Sequence, residues 1–289
     1  MIAHVAAAGE RRGRVVLWLG SSARASASAI DAAMLLARVF QSEVESLFVE
    51  DRQLFDLAGF PFARTMASAG EGWRALPQET LEREMRFAGA ALQRQVAEAA
   101  KLAAVPCHAR VVRDDPLRAI SRACAENGPW NVVIVGEPLA PGDEPRLSEV
   151  FARVRDTTGV VIAGPLAHRS EGPIVAVVEE FERLGPMLKA ALRLAGEAGS
   201  DVKVMLVGDR REELAWMDGE ARLLCADEVD EPQLQTVLAA QADAAPVMAA
   251  LGRHKAGFVL AQFGGRLVSA GSSLRPLAAA LECPLLLVR

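Results

Sequence analysis

The chain has 289 residues, of which 51% are apolar and 24% charged, and its formal net charge is −5. That length suggests two domains, and the acidic balance, with no block of lysine or arginine, argues against a nucleic-acid partner. No apolar run reaches the roughly 18 residues of a membrane span, and the start, MIAHVAAAGERRGR, puts its apolar run ahead of its arginines, the reverse of a secretory signal. The expectation is a soluble, cytoplasmic protein.

Taken in chain order, short β-branched apolar runs predict buried strands at RVVLWLG (14–20), EVESLFVE (43–50), CHARVVR (107–113), NVVIVG (131–136) and GVVIAG (159–164). Helical patterns separate most of them. Leu81, Met85, Ala88, Leu92, Val96 and Ala99 fall on one face of a helix over 81–104. Asp115-Pro116, followed by Leu117, Ile120 and Cys124, reads as an N-cap, a proline in the first turn and an apolar stripe. After a polar, Gly- and Pro-rich hinge at 163–173, the order repeats. GPIVAVVEE (172–180) and DVKVMLVG (201–208) predict strands around a helix over 184–198, and a helical stub follows at 210–217. ARLLCAD (221–227) predicts a strand, and 231–251 a helix bent at Pro246. GFVLAQF (257–263) and PLLLVR (284–289) predict strands around a helix over 273–281. Strands alternating with helices imply βαβ units and parallel sheets.

This order resembles the tandem form of the universal stress protein family over nearly the whole chain. The motifs that carry the resemblance are VVRDDPLRAISRACAENGPWNVVIVG (111–136), LFVEDRQLFDLAG (47–59) and the ending LECPLLLVR (281–289). Asp115-Pro116 and Ile120 match the family, whereas Asp114 stands where glycine is usual. The resemblance implies an α/β fold of two adenine nucleotide α-hydrolase-like domains, 1–165 and a shortened 172–289. Each would be an open five-stranded parallel sheet with helices on both faces. It also implies an intramolecular pseudo-dimer, with 160–163 pairing with 285–288.

ATP-binding members of the family end the first strand in Asp. They follow the fourth strand with a G-x-x-G loop and, nine residues later, Gly-Ser or Gly-Thr, so that backbone N–H groups close on phosphate. In the first half of this chain Gly20 takes the Asp position, Gly136 matches the first glycine, and Leu139, Arg146 and Leu147 replace the rest. Pro138 and Pro141 remove donors, and Glu137, Asp143 and Glu144 would repel phosphate. In the second half Glu179 aligns with the Asp, one methylene longer. Gly264 and Gly265 follow the fourth strand, and Gly271-Ser272 align with Gly-Ser after a loop shortened to five intervening residues. These five residues, Glu179, Gly264, Gly265, Gly271 and Ser272, are the candidate ligand site, sized for phosphate, sulfate or a monophosphate. The same sequence also reads as a plain Gly-Gly turn followed by Ser272 or Ser273 capping a helix.

Other chemistry is sparse. Cys107, Cys124, Cys225 and Cys283 occur singly in apolar surroundings, and the four histidines show no HExxH spacing, so neither a catalytic nor a metal set is expected. FDLAGFPFARTMASAGEGW (55–73) reads as a lid or protein-binding loop, or as phenylalanines covering a sheet edge. The functional expectation is a non-catalytic, stress-associated regulatory protein with a degenerate nucleotide site and no required cofactor. The alternative is an ATP or AMP sensor, or slow ATPase, using the second half.

Overall fold

The computed structural model describes residues 13–20, 26–66, 72–126, 131–135, 151–152, 154, 157–164, 166–226, 233–240, 243–268 and 279–289. Ten strands form one sheet: β1 (Arg14–Leu19), β2 (Glu43–Asp51), β5 (Cys107–Asp114), β6 (Asn131–Val135), β7 (Thr157–Ile162), β8 (Ile174–Val178), β9 (Val202–Gly208), β10 (Gln233–Leu238), β11 (Phe258–Gln262) and β12 (Leu285–Val288). A separate hairpin pairs β3 (Arg64–Met66) with β4 (Trp73–Ala75). The helices are α1 (Ala27–Val39), α2 (Arg52–Ala58), α3 (Gln78–Leu102), α4 (Pro116–Glu126), α5 (Leu184–Ala198), α6 (Arg211–Ala226) and α7 (Ala245–His254).

The large sheet runs β10-β9-β8-β11-β12-β7-β6-β1-β2-β5. Read outward from the middle, each half contributes its fifth, fourth, first, second and third strand in that order. Neighbours within each half are parallel, and β7 meets β12 antiparallel, with Ile162 opposite Leu285 and Gly159 opposite Val288. The two terminal strands pair over 159–162 and 285–288, one residue away from the expected 160–163. The inner strands β6, β8, β11 and β12 are buried along their whole length, as suits strands covered by helices on both faces. One face carries α1, α3, α5 and α6, anchored by Ala33, Leu92, Leu188 and Leu214. The other carries α4 and α7, through Ile120 and Leu251.

Local chemistry accounts for the start of α4. Asp115 Oδ1 accepts from the Arg118 N–H at 3.0 Å and caps α4, with Pro116 in its first turn. Leu117, Ile120 and Cys124 then face the sheet. Burying each of the two larger side chains stabilises the fold by about 1.5–3 kcal/mol. The 163–173 segment is not a free tether, because the His168 and Arg169 N–H groups both donate to the Glu282 carbonyl.

Two expectations are corrected. Residues 221–226 are not a strand but the last turns of α6, so the predicted stub at 210–217 is a helix of 16 residues. Leu214, Met217, Ala221 and Cys225 recur at helical spacing and are buried on one face, which prevails over the apolar run ARLLC. The predicted helix over 231–251 is strand β10 followed by α7, with Pro246 in the first turn of α7 rather than at a bend. β10 lies at the sheet edge and buries only Val237, so it lacks the apolar signature of an inner strand. Most of the predicted helix over 273–281 lies outside the described residues, as does the 136–147 loop.

The described part of the 55–73 segment, residues 55–66 and 72–73, follows the carboxyl end of β2. Asp51 caps α2 by accepting from the Gln53 N–H, and Phe55 is buried beneath the Arg113 guanidinium, 3.9 Å from its ring centre. Arg113 also pairs with Glu50 and Glu82. Beyond that anchor the apolar groups turn outward: Phe60 and Phe62 stack at 5.3 Å and are 51% and 72% exposed, and Trp73 is 69% exposed. Of the phenylalanines expected to cover the sheet edge, Phe55 does pack against the edge strand β5, whereas Phe60 and Phe62 stand largely in solvent.

Candidate functional site

In open parallel sheets, ligands bind beyond the carboxyl ends of the strands where the strand order reverses. In the second half that point lies between β8 and β11, which are neighbours. Glu179 directly follows β8, and Phe263, Gly264 and Gly265 follow β11. The Phe263 N–H donates to the Val288 carbonyl, holding the exit of β11 against β12. Gly264 then adopts φ +86°, a left-handed conformation that favours glycine. Its N–H donates to the Val268 carbonyl at 2.8 Å and closes a tight loop. Leu267 and Val268 are buried and fasten the loop from below.

That loop turns two backbone donors toward one point. The Arg266 N–H donates to Glu179 Oε2, and the Leu267 N–H donates to Glu179 Oε1 at 3.0 Å. The carboxylate is buried, with Glu179 7% exposed. It lies so close to the loop that a Cβ on Gly265 would come within 2.7 Å of its carboxyl carbon and both oxygens. The second half thus brings Glu179, Gly264 and Gly265 together as expected, but the carboxylate itself occupies the loop's amides. Gly271 and Ser272 lie outside the described residues.

The surrounding groups are mixed in charge. The Arg266 guanidinium points away toward β9 and β10, 3.3 Å from the Ala239 carbonyl and 3.5 Å from Asp209. On the other side Glu180 accepts from Gln262 Nε2 at 3.3 Å and faces Arg183 at 3.6 Å. Gln262 Oε1 is buried and has no hydrogen-bond partner among the described residues. In the first half, the position after β1 is Gly20, which is buried and supplies no carboxylate.

The backbone donors of Arg266 and Leu267 were not legible in the sequence, since any residue carries an N–H. The usable signal was the extra methylene of Glu179, which gives the carboxylate its reach. Among the described residues no cluster of three His, Cys, Asp or Glu side chains could hold a metal ion.

The architecture is that of the universal stress proteins. A universal stress protein from Archaeoglobus fulgidus superposes with a TM-score of 0.60 at 14% identity, covering 95% of this chain and 98% of that one. A functionally unknown protein from Pseudomonas aeruginosa superposes at 0.51 with 17% identity, over 96% and 92% of the two chains. The cytoplasmic domain of a prokaryotic cation chloride cotransporter gives 0.50 at 8% identity, over 95% of each. At such identities the likeness establishes the fold, and function has to be argued from the site. No family model matches the chain, and no curated protein matches it significantly.

Proposed function

We propose that this protein is a stress-associated regulatory protein of the universal-stress type, acting in the cytoplasm by binding rather than by catalysis, with a nucleotide site that is degenerate in both halves. Residues 1–165 and 172–289 are, on this reading, two domains paired within one chain. The observation that carries it is the Glu179 carboxylate, which takes the Arg266 and Leu267 amides that a phosphate would need. Gly20, in the corresponding place of the first half, supports the same reading from the sequence. The alternative, an ATP or AMP sensor or slow ATPase, requires that carboxylate to be displaced.

The test is thermal unfolding with and without ATP or AMP. A ligand that binds only the folded state adds about 2.7 kcal/mol at a hundred times its Kd, enough to raise Tm by several degrees. No shift is expected with either nucleotide. A clear rise with ATP would sink the degenerate-site reading and favour the sensor.

A second reading concerns how the regulation is delivered, and the exposed Phe60, Phe62 and Trp73 favour it. Rings of this size held out on an anchored arm fit the aromatic anchors of a protein interface. We propose the 55–73 arm as the surface that meets a protein partner.

A further inference from the structure

The geometry points to Glu179 as a built-in anion that keeps a latent oxyanion pocket closed. Its removal would open a site for a small tetrahedral anion of the inorganic phosphate or sulfate class, or for the phosphate of a nucleoside monophosphate. This inference rests on the degenerate-site reading above and deepens it, by naming the group that closes the site and the ligand class that group stands in for.

Four observations support it. Two N–H groups, from Arg266 and Leu267, converge on the two oxygens of one carboxylate, which is how backbone amides hold a phosphate. The carboxylate is buried, so these bonds form away from bulk water. The loop is fixed without Glu179, by the bond from Gly264 to Val268 and by the buried side chains of Leu267 and Val268. Its donors would therefore keep converging if the side chain were shortened. Finally, Gly265 leaves no room for a Cβ beside the carboxylate, so the loop backbone reaches as near to this anion as backbone can.

The inference separates two roles that look alike. If Glu179 were only a structural brace, its loss would weaken the loop and no added anion would restore it. If it is a stand-in for a ligand, its loss leaves two donors that an external anion can satisfy. In the wild type an incoming phosphate would meet a like charge at contact distance and find both amides taken.

The experiment compares wild type, Glu179→Ala and Glu179→Ser. Each is titrated with inorganic phosphate, sulfate and AMP while Tm and the backbone amide resonances of Arg266 and Leu267 are followed. Glu179→Ala is expected to melt below wild type, to regain stability with millimolar phosphate, and to show both amide resonances moving with the titration. The wild type is expected to show neither response. The inference is overturned if folded Glu179→Ala leaves these amides unmoved, or if wild type moves them as much as the variant does. Should Glu179→Ala fold only when phosphate is present, that rescue supports it. Should it fail to fold in either condition, Glu179→Ser, which also vacates the pocket, decides: phosphate that moves both amides supports the inference, and unmoved amides overturn it. ATP bound by wild type without moving these amides would sink the degenerate-site reading alone, whereas ATP that moves them would sink both.

Discussion

His254 shows how one side chain ties stability to pH. It ends α7, and its Nε2 donates to Gln235 Oε1 on the edge strand β10. Burial, followed by the nearby charges of Lys203 and Arg253, lowers its pKa below the ordinary value of 6.5. The unfolded chain therefore takes up the proton more readily than the folded one. The stability this group contributes is complete above about pH 6.5 and is lost as pH falls through its depressed folded value. Wild type should lose urea resistance between pH 7 and pH 5, and His254→Gln should lose less over the same interval. Equal losses in the two proteins would show that His254 does not contribute. At Glu179 too a single side chain decides the local outcome. The alignment of its position was visible in the sequence, but its hydrogen-bond partners lie 87 and 88 residues away, and no local pattern names them.

At the scale of elements, the 52–75 arm separates anchor from display. Phe55 and Arg113 hold α2 to the body, and Phe60, Phe62 and Trp73 are left in solvent. Exposed substitutions away from caps and cores change stability by about 0.5 kcal/mol or less. A Phe62→Ser/Trp73→Ser double variant should therefore melt with wild type. If the arm meets a partner, proteins that immobilised wild type retains from the parent cell extract should be missing from the variant. An identical retained set would refute the partner reading. The sequence separated Phe55 from the other rings poorly, because all three phenylalanines lie in one short segment. Burial depends on where Arg113, on a different strand, comes to rest. Helix α6 and strand β10 were misread for a related reason. The run ARLLC at the end of α6 resembles an inner strand although its buried residues follow helical spacing, whereas β10, exposed at the sheet edge, lacks an inner strand's apolar pattern.

At the scale of the whole molecule, the halves are joined by more than one contact. β7 pairs with β12, and the α1–α5 packing carries the Arg38–Glu197 ion pair at 2.7 Å. The Phe151 and Phe263 rings stack at 3.8 Å across the seam. Arg289 reaches back from the second half to the Phe151 and Val154 carbonyls. Gly159 lies at one end of the paired β7–β12 ladder, opposite Val288. A Cβ there would stand 2.8 Å from the Leu287 carbonyl oxygen and 2.9 Å from Leu286 Cδ1. Gly159→Val should overpack the junction and cost about 1–3 kcal/mol, read as a lower urea midpoint. Unchanged stability would mean that the seam yields without strain.

The sequence by itself determined that buried β-branched strands alternate with amphipathic helices and that the order occurs twice. These are properties of short windows, where side-chain period and turn chemistry decide the outcome. It also placed Gly20 and Glu179 at corresponding strand ends. Only the tertiary structure decided that β10 is an edge strand, that 221–226 is helical, and that the Glu179 carboxylate fills the loop after β11. The reason is that a hydrogen bond is fixed by where two distant backbones meet, and β8 meets β11 only when the sheet assembles.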